Sequence, residues 1–238
     1  LGIAKAALSA GAKIYENSPA TSYKVLDDHV RVNTKNGSIK ADRIVLACNG
    51  YLENLEKSLT SKILPMNNYI VATKPLDDEM VQKINPKDIA FADSRFVINY
   101  FRMSADKRLL FGGGENYSQE LSKNIVPIVT KPLEKIYPFL KGVKIDYAWG
   151  GKLAITMNRL PFFTTLKKER VISAQGYSGQ GVALASYSGK IVSEKILGNG
   201  EVFDIMAKIP RQSFPGGRFL RNPSMKIGML YYSLLDRI

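Results

Sequence analysis

The sequence predicts a composite of α/β and α+β texture. Two pieces of a parallel-sheet domain, residues 1–50 and 150–204, frame an antiparallel-sheet domain at 51–149, and a C-terminal arm follows at 205–238. Three observations predict it. "RVISAQGYSGQGVALASYSGK" reads as a short buried strand, a glycine turn and a helix. "ADRIVLACNG" is a continuous apolar run ending in small residues and a glycine, the pattern of a strand buried on both faces of a parallel sheet. Between them, "NNYIVATKPL", "FVINYFRM" and "RLLFGGG" are strand-like runs separated by turns, followed by the amphipathic, proline-interrupted "NIVPIVTKPLEKIYPFLKG". Strands followed by a helix, without βα alternation, predict an antiparallel sheet with helices on one side.

The elements follow in order. In "LGIAKAALSAGAKIYENS" the apolar residues Leu1, Ala4 and Ala7 or Leu8 have helical spacing, and Gly11 supplies a stop. "AKIYENSP" is then expected as a strand. A chain that opens without Met, inside an uncapped helix feeding a strand, reads as the second half of a βαβ unit, with upstream sequence expected. Val30, Val32 and Thr34 alternate, Asn36-Gly37 turns, and Ile39 returns, which is a strong hairpin signal. "LKKER", residues 166–170, is expected as a solvated turn between strands. The arm carries Pro215-Gly216-Gly217 and ends in a short predicted helix with Met229, Leu230, Leu234 and Leu235.

Composition narrows the function classes. With 238 residues, 45% hydrophobic and 23% charged, the chain has a globular balance and length enough for a sizeable core. It contains no run of eighteen apolar residues, so no membrane-spanning helix is expected. The single cysteine, Cys48, excludes an internal disulfide and a cysteine-rich metal site, and a reducing, cytoplasmic setting is the default expectation. No metal site is expected. The net charge of +13 keeps nucleic acid and an anionic membrane surface open as partners. The basic residues are dispersed, however, and no strand alternates basic and aromatic residues, so no specific nucleic acid is expected.

The glycine turn carries the chemistry. Backbone N–H groups at a helix N-terminus lack intrahelical acceptors, and the aligned peptide dipoles place partial positive charge there. Over Gly179, Gln180 and Gly181 a carbonyl or anionic ligand meets no obstructing side chain. Val182, Ala185, Gly189, Val192 and Ile196 repeat at helical spacing, and Ala183, Ser186 and Gly189 are small, as close packing against a sheet or a flat ring requires. A tight turn with a helix docked on a sheet explains the same residues without a ligand. A phosphate loop does not fit, because no Gly-Lys-Ser/Thr follows, and "GGGENY" (112–117) has Tyr117 where the dinucleotide fingerprint needs its last glycine.

The ordered motifs "ADRIVLACNGY", "NYFRMSADKRLLFGGG", "DYAWGGKLAITMNRLPFF" and "QGYSGQGVALASYSGKI" resemble the FAD-dependent D-amino-acid oxidase and glycine oxidase superfamily. Within it, "PMNNYIVATKPL", "YFRMSADKRLLFGGG" and "FPGGRFLRNP" are similar to the gamma-glutamylputrescine oxidase branch. The resemblance runs over nearly the whole chain. It implies part of a FAD-binding Rossmann-like domain, lacking its first βαβ unit, with an inserted antiparallel-sheet substrate domain. The implied activity is flavoprotein oxidation of a small-molecule amine or amino acid by hydride transfer to FAD.

The resemblance also assigns residues. Gly176, Tyr177, Ser178, Gly179, Gln180 and Gly181 match the segment along the flavin pyrimidine edge. Cys48, Asn49 and Gly50 match the strand end that approaches the cofactor, and Ala20 matches a backbone contact at the adenine end. Tyr69, Tyr100 and Arg102 are the substrate-side candidates, on strands whose alternate residues are expected to face the flavin; packing and a structural ion pair remain open for them. Hydride removal from a neutral amine requires no acid or base, so no catalytic residue is assigned, and His29 receives no role. Ala183 stands where sarcosine-oxidase relatives place a carboxylate-binding lysine. No cysteine lies near "GGKLAITMNRLPFF", so the FAD is expected to be noncovalent.

Family members open with a strand, a G-x-G-x-x-G turn and a helix, which this sequence does not contain. The expectation is a C-terminal part of an oxidase that alone binds FAD poorly and is inactive, completed by an N-terminal FAD-binding segment or a partner chain. Alternatives are a noncatalytic substrate-domain subunit of a split oxidase and a basic module for nucleic acid or a membrane surface. An uncovered sheet edge also predicts self-association.

Overall fold

The computed structural model describes residues 1–95, 98–113 and 120–217 and, beyond them, 220, 223–224, 226–228 and 231. Helix α1 (Gly2–Ser9) forms as expected, and Gly11, at φ +89°, ends it. The strand expected next does not form: residues 12–19 are irregular and exposed. A strand needs a ladder partner, and nothing among the described residues pairs with this run.

The first sheet is an antiparallel meander of β1 (Ser22–Val25), β2 (Val30–Asn33) and β3 (Ser38–Ala41). Asn36-Gly37 closes β2 onto β3, and the Thr34 N–H donates to the Gly37 carbonyl at 2.8 Å. Period-2 alternation turns Tyr23 and Val30 inward and leaves Lys24, Arg31 and Lys40 outward. One cluster, at the start of the short helix α2 (Lys57–Thr60), pins the meander to the rest of the fold. The Tyr23 hydroxyl donates to a Glu56 carboxylate oxygen, and Lys167 lies 3.5 Å from the same oxygen.

The second sheet has the order β10-β11-β4. β11 (Val171–Gln175) lies antiparallel to β10 (Phe162–Leu166) and parallel to β4 (Ile44–Leu46). The expected turn joins β10 to β11, with Lys167, Lys168 and Glu169 all in left-handed backbone. Every residue of β11 is buried. On one face α5 (Gly181–Ile196) and α6 (Glu201–Lys208) pack Ile191, Val192 and Phe203 against Phe163, Ile172 and Ala174. On the other face Val171, Leu46 and Phe162 join Val30, Leu59 and Ala154.

Two expectations are corrected here. β4 is not buried on both faces: Leu46 is covered, but Val45 is 39% exposed, because β4 is the edge strand. The stripe from Val182 to Ile196 is not the packed face of α5 either. Of that stripe only Val192 is buried, beside Ser188 and Ile191, whereas Val182 is 97% and Ile196 39% exposed. Only the second half of α5 docks on β11 and α6, and a groove separates its first turns from β4.

The third sheet is antiparallel, in the order β6-β7-β8-β5-β9. Its strands are β5 (Leu64–Thr73), β6 (Phe91–Ala92), β7 (Tyr100–Met103), β8 (Leu109–Gly112) and β9 (Ile145–Ile155). One face carries Tyr69, Val71, Leu109 and Phe111, covered by Val129 and Leu133 of α4 (Val126–Ile136) and by Ile84 of α3 (Asp78–Ile84). The expected interruption does not fall within helix α4, which runs through Pro127 in its first turn and Pro132 in its interior; it ends before Pro138, which opens a 3-10 turn. The short α3, which the sequence reading did not identify, starts at Asp77, whose side chain accepts the Met80 N–H at 2.8 Å.

Residues 114–117 of "GGGENY", and Met229, Leu230, Leu234 and Leu235 of the expected terminal helix, lie outside the described residues. Among the described residues no helix is long and apolar enough to cross a membrane, and no group of metal-ligating side chains is present.

Candidate functional site

The C-terminal ends of the parallel strands β4 and β11 lie side by side, with Leu46 opposite Ser173. Beyond β4 the chain passes Cys48 into a single 3-10 turn, Asn49–Tyr51. Beyond β11 it enters the glycine turn. The two loops are joined directly: the Asn49 side-chain oxygen accepts the Gly176 N–H at 3.1 Å. The two loops expected at the cofactor are therefore one constellation.

A third element completes it. The Ser178 N–H donates to the Ala154 carbonyl of β9 at 2.9 Å, and the Thr156 N–H donates to the Ser178 hydroxyl at 3.2 Å. The Tyr51 hydroxyl accepts the Lys152 N–H at 3.0 Å. Two glycines are sterically required. A Cβ on Gly50 would lie 2.5 Å from the Lys152 carbonyl oxygen, and one on Gly176, at φ +78°, would lie 2.6 Å from the Thr156 methyl. Asn49 and Ser178 both hold φ +50°, an uncommon conformation that clusters at ligand sites. Gly179, also left-handed at φ +96°, has open space where a side chain would stand.

Beside the turn lies a groove of about 350 Å³, bordered by Val45, Ala47, Asn49, Tyr177, Gly181 and Ala185 among others. Helix α5 starts at its end, and Gln180 provides no side-chain cap, so among the described residues no side chain caps the first N–H groups. Tyr177 is buried, its hydroxyl donates to the Ala174 carbonyl at 3.0 Å, and burial pushes its pKa up. Burial likewise raises the Cys48 thiol, which stays protonated at neutral pH. Ala20 lies in exposed irregular chain leading into β1, on the meander.

Sequence reasoning missed one residue of the turn's base. Gln175 is fully buried; its amide N–H donates to the Ser173 hydroxyl at 2.9 Å, while its carbonyl oxygen has no partner among the described residues. A glutamine closing the apolar strand "VISAQ" was the available signal. Thr156, Ala154 and Lys152 were also missed, because only the tertiary fold brings the end of β9 to the glycine turn.

Strand register separates the substrate-side candidates. Tyr100 and Arg102 share one sheet face through their partners Gly112 and Leu110, and these stand opposite Ile70 and Ala72 of β5. Tyr69, one residue out of phase with Ile70, points to the other face. It is fully buried in the α4-covered core, and its hydroxyl accepts the Ser122 N–H at 2.9 Å. The expectation that all three share a face is thus corrected by parity. On the face away from α4, the Tyr100 hydroxyl donates to Asn68 at 2.5 Å, and its ring lies so close to Gly112 that a Cβ there would sit 2.1 Å from it. Arg102 is exposed, with its Nε donating to the Met103 carbonyl at 3.1 Å. Asn68, Gly151 and Trp149 share this face, and the sequence reading named none of them as site residues.

The model of the family described as DAO, FAD dependent oxidoreductase, matches residues 1–195. The chain is 39% identical over 237 residues to a probable oxidoreductase OrdL of Rhizobium meliloti, covering 100% of this chain and 55% of that protein. It is 36% identical over 239 residues to the gamma-glutamylputrescine oxidoreductase of Escherichia coli strain K12, covering 100% and 56% respectively. The chain therefore spans little more than half the length of these curated relatives. In structure it resembles the glycine oxidase of Bacillus cereus, with a TM-score of 0.68 at 18% identity over 87% of this chain and 57% of that one, a likeness that establishes the fold. The fold is accordingly part of a Rossmann-like domain joined to an antiparallel substrate-type domain.

Proposed function

This chain belongs to the DAO family of FAD dependent oxidoreductases, and on that premise we propose that it forms the flavin-edge and substrate-facing part of an amine or amino-acid oxidoreductase. The observation that carries this reading is the Asn49–Gly176 hydrogen bond, which fixes two loops at the ends of parallel strands beside the N-terminus of a 16-residue helix. The residues fit a flat, polar-edged group. Gly179 and Gly181 keep side chains out of its way, Gly176 lets the turn close on Thr156, the α5 N–H groups offer donors, and the groove offers apolar wall. When bound, FAD supplies the hydride acceptor.

In this proposal Gly176–Gly181, with Cys48, Asn49 and Gly50, hold the flavin noncovalently, and Ala20 lies toward the adenine end. The N-terminus of α5 favours a carbonyl or anionic edge there. On the open sheet face, Arg102 pairs with a substrate carboxylate, and Asn68 holds the Tyr100 hydroxyl so that the ring forms a wall. Tyr69 acts from behind, by packing under that wall. A gamma-glutamyl amine is the favoured substrate, supported by the likeness to gamma-glutamylputrescine oxidoreductase. Ala183 disfavours a small N-methyl amino acid held by a lysine.

A second reading is favoured by the exposed edge of β4 and the bare first turns of α5. A further FAD-binding segment or a partner chain covers them and supplies the pyrophosphate site. These 238 residues alone then hold FAD weakly and are inactive. The test is FAD titration by flavin fluorescence, followed by anaerobic addition of gamma-glutamylputrescine or sarcosine to the completed protein. Bleaching of the flavin by the gamma-glutamyl amine, much slower bleaching by sarcosine, and loss of both FAD retention and bleaching in Asn49→Ala are expected. Tight FAD binding with no bleaching by any amine overturns the substrate reading. FAD retention unchanged in Asn49→Ala overturns the site.

A further inference from the structure

We propose that the outward face of the meander β1–β2–β3 is a docking site for an acidic α-helix of a partner protein, independent of the flavin reading. Register places Lys24 opposite Arg31, and Arg31 opposite Lys40, so three cations stand in one row across three strands. All three are exposed on the face away from the Tyr23 and Val30 core. Like charges directly opposite one another weaken a ladder, and the middle one here is flanked on both sides.

The chain does little to neutralise the row. Lys40 reaches Asp28 at 3.4 Å, with both side chains largely in water. Among the described residues Lys24 and Arg31 form no ion pair. The neighbouring row is Ser22, Asn33 and Ser38, with Asn33 donating to the Ser22 hydroxyl at 3.1 Å, so nothing bulky screens the cations. A repulsion retained on a flat, otherwise neutral surface is what complementarity to an anionic partner explains.

Geometry selects the partner. Adjacent strands lie about 4.8 Å apart, so the row is about 10 Å long. Carboxylates at positions i, i+4 and i+8 of a helix lie about 6 Å apart along one stripe, and a helix laid across the strands brings each to one cation. The strand residues of this face, Ser22, Lys24, Arg31, Asn33, Ser38 and Lys40, include no aromatic to stack a base and no apolar side chain to enter a bilayer. An acidic helix fits what the face offers better than nucleic acid or lipid.

The test is fluorescence anisotropy of the whole chain with a labelled helical peptide carrying Glu at i, i+4 and i+8, at low salt. The control is an isomer of equal composition with its glutamates on different faces. Binding of the aligned peptide about tenfold tighter than the isomer is expected, with most of that difference lost in Arg31→Gln. Arg31→Thr, by relieving the repulsion, is expected to raise the Tm by up to about 2–4 °C, a readout that also shows the sheet is intact. Equal affinity for the two peptides, an Arg31→Gln variant that binds like the parent, or preferential binding to phosphatidylserine vesicles overturns the proposal.

Discussion

In the five-stranded sheet Val71, Leu109 and Phe111 are fully buried beneath Val129 and Leu133 of α4, whereas beside the glycine turn Val45 keeps 39% exposure and Val182 of α5 keeps 97%. Both regions contain strands that read as apolar in sequence. One covers them with its own helices; the other leaves a groove and holds its loops in left-handed backbone at Asn49, Gly176, Ser178 and Gly179. The difference separates residues selected for packing from residues selected to leave room. Strained backbone at the turn is tolerable because the fully buried β11 anchors its start, α5 its end, and hydrogen bonds to Asn49 and the Ala154 carbonyl hold its middle.

Leu133→Ala is the strongest test of the closed region. It removes a fully buried side chain at the centre of the α4 interface, and a loss of about 2–5 kcal/mol in chemical denaturation is expected. The turn is expected to keep whatever FAD affinity it has in the surviving folded protein. Next comes Gly176→Ala, in which a methyl group meets Thr156 and the backbone is held at φ +78°. A loss of about 1–3 kcal/mol is expected, together with FAD binding, which the core variant keeps. Denaturation curves paired with flavin titrations would break the comparison if both variants lost binding in proportion to stability.

The cluster linking the meander to the fold sharpens the comparison through pH. Burial would raise the Glu56 carboxyl, but hydrogen bonds from Tyr23 and Ser58 and the charge of Lys167 outweigh it and hold the group below its ordinary 4.5. Its contribution is therefore present above pH 4.5 and lost as pH falls through the lowered folded value. Burial, then the hydrogen bond and charge of Glu56, push the Tyr23 phenol above its ordinary 10.0. That contribution is complete below pH 10 and lost as pH rises above it. Tyr23→Phe should flatten both limbs of a Tm-against-pH curve and cost about 1–2 kcal/mol at neutral pH.

The smallest effect is expected at Val182→Thr, where a side chain 97% exposed should change the stability of the isolated chain by less than about 0.5 kcal/mol. If a further segment or partner chain covers α5, the same substitution weakens FAD retention only in the completed protein. Matched measurements on both forms decide that.

Much of the site was legible before the structure. "QGYSGQG" announced a strand, turn and helix because glycine is at ease in left-handed backbone and close approach, and "IVLACNG" announced a strand that ends on a loop, though not that it lies at the sheet edge. Their union through Asn49 was not legible, since 127 residues separate Asn49 from Gly176 and no local pattern encodes their hydrogen bond. Gln175 escaped notice because a polar residue ending a strand is ordinary until burial makes its unpaired oxygen unusual. The run at 12–19 misled for the opposite reason: a strand-like run forms a strand only where a neighbouring strand exists to pair with it.

The sequence by itself determined what depends on neighbours along the chain: the Asn36-Gly37 hairpin, the glycine turn, the start of α5, and the alternation of β5 and β7. Tertiary structure alone decided which side of each alternation is the core. Tyr69 and Tyr100 look equivalent in sequence, yet α4 covers the face that holds Tyr69, and Tyr100 lies on the face away from it. A strand's two faces are chemically interchangeable until something packs on one of them, and that partner lies 57 residues from Tyr69, at Val126, where α4 begins.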